Sequence, residues 1–376
     1  MDLPRPDVDP GGLLEYSVVF TDRSLNHMSQ RFVTVMQDTI RVLTTTYAAD
    51  TVALIPGGGT VGMEAVARQL MTGRRIVVVR NGFFSYRWSQ ILDQGGIAES
   101  VTVCRAQPVD GDAQSAWTPP PAEVVVEAIR RERPDVVCAA HVETASGILL
   151  PDEYLRAIAD ATHEVGGLMV LDCIASGALW VDMRALGIDV LLSAPQKGWS
   201  GTPCTGYVLL NSAARERVRT TTSTSFAADL RRWLEITEGY TAGTAAYHAT
   251  LPTDGIAHNA GLMLQAVEIG LGVLRTAQQE LGTRVRTLLR DSGFPSVAAD
   301  GYASPSVVVS HADDPDLRSG VAFKTVGLQV AAGVPLMCGE PASWSTFRLG
   351  LFGLDKLTDV DGAVGRFGAA LERLGR

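Results

Sequence analysis

Two side chains have types and spacing that could share one reaction. Asp172 closes the apolar run LMVLD, and Lys197 follows 25 residues later in SAPQKG, just past the next apolar run, DVLLSA. A carboxylate and an amine at the ends of neighbouring strands in a doubly wound sheet both face the crevice where ligands sit. Upstream, Pro56-Gly57-Gly58-Gly59-Thr60-Val61-Gly62 separates the strand-like TVALI from the helix-like GMEAVARQL. Glycines there let backbone N–H groups approach an anion at a helix N-terminus, and Thr60 adds a hydroxyl donor. Singly, each feature has a plainer reading: a ligand-free tight turn for the glycines, a helix cap for Asp172, a solvated turn residue for Lys197.

Jointly the three match the needs of one cofactor, pyridoxal phosphate. It takes a lysine into a Schiff base, requires an anion beside its protonated ring nitrogen, and is anchored through its phosphate. Burial and the nearby pyridinium would both lower the pKa of Lys197, which favours that use of the amine. Gly57, Gly59 and Gly62 also spell GxGxxG, so a dinucleotide must be weighed. No Asp or Glu lies between Glu64 and Asp93 to grip an adenosine ribose, which disfavours NAD, while Arg80 after RIVVV leaves an NADP oxidoreductase open. No lysine follows the loop in GK[ST] form, so a nucleotide-hydrolysing loop is excluded. His141 has no second His or Cys at ligand spacing, and no metal site is expected.

SAPQKG at 193–198, LDCIAS at 171–176, HVETASG at 141–147, GGGT at 57–60, YHATLP at 247–252 and FRLGLFG at 347–353 resemble, in order, the stations of class V aminotransferases of fold type I, in particular the alanine–glyoxylate and serine–pyruvate group. The resemblance spans roughly residues 50 to 370. It implies a pyridoxal-phosphate enzyme that moves the amino group of a small amino acid to glyoxylate or pyruvate by a ping-pong mechanism. It makes Lys197 the Schiff-base lysine and Asp172 the partner of the pyridine nitrogen. Gly58, Gly59, Thr60 and Gln196 would hold the phosphate. Phe84, where the family usually has Trp, and Ile174 would pack on the two faces of the ring, and Thr144 would bond near the phenolic oxygen. Tyr247 and Thr250 would reach the phosphate of the neighbouring subunit, which implies a homodimer with shared sites, and Arg348 would grip the substrate carboxylate in a bidentate pair.

Some residues stay open. Phe84 also reads as ordinary core, Arg348 as half of a surface ion pair on an edge strand, and His141 and Glu143 as structural. The family's GPGP-type segment is missing; only Pro10-Gly11 stands near it, and Arg23, Asn26 and His27 are polar candidates for an altered pocket that also read as a solvated loop. Cys338, ten residues before Arg348, raises a cysteine desulfurase or related lyase of the same fold, although it reads more simply as a packed thiol. A retired binding protein that holds the cofactor without turning over is a third alternative.

The elements needed to position these groups follow from composition and pattern. The chain has 376 residues, 46% hydrophobic and 19% charged, enough apolar material for a large core or two unequal ones. With 32 basic against 41 acidic residues it has no field for a phosphate backbone, so nucleic acid is not an expected partner. No apolar run has the roughly 18 residues of a membrane span. The start MDLPRPDVDPGG lacks signal-peptide order, and five cysteines with no CxxC pair read as reduced thiols, so a cytoplasmic location is expected.

From Thr51 to Leu210, β-branched runs alternate with amphipathic stretches, which predicts an α/β fold with a mainly parallel seven-stranded sheet between helices. An N-terminal arm and helix (1–50), a large cofactor-binding domain (51–255), a long connecting helix (256–292) and a small α+β domain (293–376) are expected.

Overall fold

Each of the seven apolar runs between Thr51 and Leu210 becomes a strand of one sheet in the computed structural model, which describes residues 13–375. The strands are β1 (Thr51–Pro56), β2 (Arg75–Arg80), β3 (Ser100–Arg105), β6 (Val136–Ala140), β7 (Leu168–Asp172), β8 (Val190–Ser193) and β9 (Thr205–Leu210); β4 (Gln107–Pro108) and β5 (Trp117–Thr118) pair separately as a short ribbon. The order is β1-β9-β8-β7-β6-β2-β3, parallel throughout except where β9 runs antiparallel to both of its neighbours. Every residue of β6, β7, β8 and β9 is buried. Strands covered on both faces have no need of polar alternation, which is why they read as continuous Val, Leu and Ile runs.

Helices connect them: α1 (Gln30–Tyr47) before β1, then α2 (Gly59–Leu70), α3 (Phe83–Gly95), α4 (Ala122–Glu132) and α5 (Asp152–Glu164) between successive strands. A short α6 (Met183–Leu186) precedes β8, and α7 (Ser212–Thr220) and α8 (Leu230–Thr241) follow β9. The second, smaller sheet has β10 (Val307–His311), β11 (Ala331–Ala332) and β12 (Thr346–Gly350), with β12 in the middle and both pairings antiparallel. The mixed α/β architecture with a mainly parallel seven-stranded sheet is thus as the sequence pattern predicts.

The single connecting helix expected over 256–292 is instead two, α9 (Thr253–Ile269) and α10 (Leu271–Asp291), which meet at 87°. Gly270 is the reason: at φ 103 and ψ 116 it lies outside the helical region, where a side chain is disfavoured. Gln278 on α10 ties the two sheets together. Its Nε2 donates to the carbonyls of Pro305 (3.0 Å) and Leu351 (3.1 Å), and its Oε1 accepts from the N–H of Ala178.

Pro10-Gly11 lies outside the described residues. The polar candidates after it are not a solvated loop. Asn26 and His27 are buried, the Asn26 amide donates to Glu15 (2.7 Å), and the Leu25 N–H donates to Asp254 at the start of α9 (3.0 Å). Arg23 alone is exposed, beside Asp22.

Candidate active site

Asp172 is the last residue of β7 and pairs in register with Ala140 on one side and Leu192 on the other. No helix starts there, so it caps none; its Oδ1 accepts from the N–H of Ile174 at 2.9 Å. The carboxyl is 7% exposed, and no cation of the described chain lies within ion-pair distance of it. Burial first, and then the charge of Glu143, push its pKa up to about 6 against the pull of the Ile174 N–H. A buried carboxylate in this condition is an unneutralised charge that a bound cation would stabilise.

Lys197 lies on the turn after β8, which the Ser200 N–H closes onto the Lys197 carbonyl at 3.0 Å. The side chain is half-buried, its amine has no hydrogen-bond acceptor among the described residues, and it sits 5.1 Å from the centre of the Phe352 ring. Burial, with Arg348 and Arg87 adding to it, holds the amine below the usual lysine range, while Asp172 pulls the other way. Beside it, the buried Gln196 Oε1 has no partner.

The glycine-rich segment does more than turn. Helix α2 begins at Gly59, three residues before the start expected at Gly62, so Gly59 and Thr60 are themselves its first turn. N–H groups of a first turn have no acceptor within the helix and carry its positive end. A Cβ on Gly59 would overlap the Cδ1 of Ile174, so a side chain there would have to displace the isoleucine from its place beside the helix start. Ile174 is thereby set between the helix and Asp172.

Phe84 is half-buried rather than core, and two guanidinium groups approach its ring, Arg87 at 5.1 Å and Arg348 at 5.5 Å from its centre. Glu143 positions it. That carboxylate, fully buried, accepts from the N–H groups of Phe84 (3.1 Å), Ser85 (2.9 Å) and Ala145 (2.9 Å) and from the Ser85 hydroxyl (2.6 Å). It caps α3 from another strand's end, a placement worth about 1 kcal/mol or more at a helix N-terminus. The cap residue itself, Gly82, has to be small, because a Cβ there would come 2.7 Å from the Glu143 Cγ. Thr144 is half-buried on the turn that follows.

Arg348 is not on an edge strand and forms no ion pair among the described residues. It lies on β12, the central strand of the small sheet, where its Nε donates to the Ala332 carbonyl at 2.8 Å. Burial lowers its pKa and the charge of Glu143 raises it.

Contacts join these residues across the carboxyl ends of the strands: Gly59 lies against Ile174, Ile174 bonds to Asp172, Thr60 is bonded by Arg87, Arg87 and Arg348 both approach Phe84, and Arg348, Arg87 and Asp172 all act on the charge of Lys197. Tyr247 and Thr250 do not join them. Both are exposed, and the Tyr247 ring packs 5.4 Å from that of His27. Sequence reasoning did not single out Arg87 or Phe352. The signals were present: Arg87 is three residues beyond Phe84 on one helix face, and Phe352 follows Arg348 in the same motif.

Two rival readings lose their residues here. Arg80, weighed for the extra phosphate of NADP, is 6% exposed, and its guanidinium donates to Met337 O (3.1 Å) and Ser89 Oγ (2.8 Å). Cys338, weighed as a desulfurase nucleophile, donates its S–H to Arg80 O (3.4 Å), and burial pushes its pKa up to about 12. A thiol so protonated is a poor nucleophile. His141, held to Ser176 Oγ at 2.8 Å, is pushed down to about 4 by burial and stays neutral, as a structural residue does.

The residues fit the cofactor read from the sequence. A buried carboxylate without a cation, an unpartnered amine of lowered pKa, and a helix start that excludes a Cβ match a pyridinium, an aldehyde carbon and a phosphate respectively.

Comparison with known proteins agrees. The family profile described as "Aminotransferase class-V" matches residues 14–299. A 2-aminoethylphosphonate–pyruvate transaminase of Burkholderia ambifaria is 30% identical over 89% of this chain and 88% of its own length. A protein of Synechococcus named as the small subunit of a soluble hydrogenase is 27% identical over 86% of this chain and 80% of its own. Among solved structures, an alanine–glyoxylate aminotransferase from Nostoc superposes with a TM-score of 0.78 at 20% identity, covering 93% of this chain and 89% of that one.

Proposed function

The chain belongs to the class V aminotransferase family, whose members depend on pyridoxal phosphate, and from that premise we propose that it passes the amino group of a small acidic donor to glyoxylate or pyruvate by a ping-pong mechanism. The donor class rests on Arg348 and on the relatives' names: a carboxylate or phosphonate is what a free guanidinium above Phe84 would hold. The observation that carries the reading is Asp172, a buried carboxylate lacking a cation, at the end of the strand beside the one that leads to Lys197.

When bound, the cofactor supplies an electron sink for the substrate's α-carbon. The chain's residues do the rest. Asp172 keeps the ring nitrogen protonated. Lys197, its amine held below the usual lysine range by burial, would hold the aldehyde carbon at rest and carry the substrate's α-proton during turnover. Arg348 would hold the substrate's acid group and so orient it for reaction, and Phe84 and Ile174 would pack against the cofactor's ring. Gln196 and the first turn of α2 take the phosphate, and Thr144 the edge of the ring.

The same reading includes a homodimer with shared sites. Tyr247 and Thr250 are surface residues within this chain; Tyr247 packs on His27, and the next residue, Met28, lines a groove with Leu13 and Leu264, exposed apolar side chains that a second copy would cover. We place the large domain at 51–255 and the small one at 293–376 on this basis. A cytoplasmic location goes with the five free thiols.

Purified protein supplied with pyridoxal phosphate should absorb in the visible, and that band should bleach with productive amino donors and return with glyoxylate or pyruvate. Lys197→Ala should abolish the cycle. A band that no amino donor bleaches would instead mark a protein that binds the cofactor without turnover.

A further inference from the structure

We propose that Arg87, on the second turn of α3, is a ligand of the cofactor's phosphate, and that Thr60 is oriented by it to be another. This rests on the cofactor reading above. The Arg87 Nη1 donates to the Thr60 Oγ1 at 3.0 Å, which bridges the second turn of α3 to the first turn of α2. A hydroxyl that accepts from a guanidinium has its own proton left to give, and an anion at the start of α2 would receive it.

The guanidinium is half-buried, lies against the Phe84 ring, and has no carboxylate within ion-pair distance among the described residues, in a chain where acidic residues outnumber basic ones. Arg68, eight residues beyond Thr60 on α2, is by contrast paired with Glu64 at 2.7 Å. The charge of Arg87 also reaches the reacting groups, lowering the pKa of both Asp172 and Lys197. Two guanidinium groups without a carboxylate partner among the described residues thus approach Phe84. Arg348 comes from the small sheet, while Arg87 is tied to the glycine-rich helix start, and that tie assigns it to the cofactor's anion instead of the substrate's. Its fork geometry would add charge-assisted bonds to those of the backbone N–H groups.

The test compares pyridoxal phosphate with pyridoxal, which lacks the phosphate, in binding to apoprotein by equilibrium dialysis. Arg87→Gln should weaken pyridoxal phosphate by about tenfold or more, the loss of one charge-assisted contact, and leave pyridoxal unchanged. Arg87→Lys should retain part of the affinity. Equal weakening of both ligands would overturn the assignment. So would unchanged cofactor affinity with a raised KM for the acidic donor, since Arg87 would then serve the substrate. Melting of the apoprotein variants controls for folding. If the parent protein itself binds no pyridoxal phosphate, it is the proposed function that fails; if the parent binds and Arg87→Gln binds equally well, only this inference does.

Discussion

Gly198, the residue after Lys197, rests against the backbone of Gly177 so closely that a Cβ on it would overlap the Gly177 carbonyl oxygen. Gly177 ends the loop that begins at Asp172, so this contact fixes the lysine turn against the aspartate loop, backbone to backbone. Gly198 has no left-handed φ to maintain; its constraint is space alone. Gly198→Ala should therefore separate the two loops, with a cost of about 1–3 kcal/mol typical of overpacking. The expected result is a folded protein by circular dichroism with a much reduced cofactor content. Full cofactor content in the variant would show that the contact does not set the site.

Asp172 gives a prediction with a definite pH sign. Its folded-state pKa, about 6, stands above the ordinary value of 3.8. The proton that the folded apoprotein retains therefore stabilises it fully below about 3.8, and that contribution is lost as pH rises through about 6. At pH 8 the buried carboxylate is ionised without a partner. Asp172→Asn keeps an acceptor for the Ile174 N–H and removes the charge, so the apo variant should be more stable than the parent at pH 8, by on the order of 3 kcal/mol. The advantage should shrink below pH 6. Amino transfer should nevertheless collapse, because a neutral amide does not hold the ring nitrogen protonated. Chemical denaturation of both apoproteins across pH 5 to 8, paired with activity, checks both halves.

Cys338 should be chemically quiet. With its pKa pushed up to about 12 and its S–H given to the Arg80 carbonyl, it carries almost no thiolate at neutral pH. Native protein should resist thiol reagents at this position, and Cys338→Ala should keep amino transfer within about twofold of the parent. Sulfide release from cysteine that disappears in Cys338→Ala would reinstate the desulfurase.

How much of this was legible in the sequence depends on the range of the contacts concerned. Asp172, Lys197 and the glycine loop were readable because strand ends and helix starts are local features, marked by apolar runs and glycines. The sheet was readable because buried parallel strands carry continuous apolar runs. The break at Gly270 was not, since one glycine inside an otherwise helical pattern is tolerated in most helices. The solvated-loop reading holds for Arg23 and fails for Asn26 and His27, because the order there comes from Leu25 bonding to Asp254, far along the chain. The same holds for Glu143, whose work is done on Phe84 and Ser85 across two strands. Gly198 is barred from a side chain by the Gly177 backbone, and Gly177 by its φ of +64° and by Gln278 and Ser306, contacts that no local pattern marks.

The central claim is that the Lys197 amine takes up the cofactor's aldehyde carbon while Asp172 faces its ring nitrogen. Borohydride reduction of the holoprotein, followed by proteolysis and peptide mass mapping, tests it most directly. The account predicts a pyridoxyl adduct confined to the peptide that contains Lys197 and missing from Lys197→Ala. An adduct on another lysine, or none on a protein that retains its visible band, would contradict it.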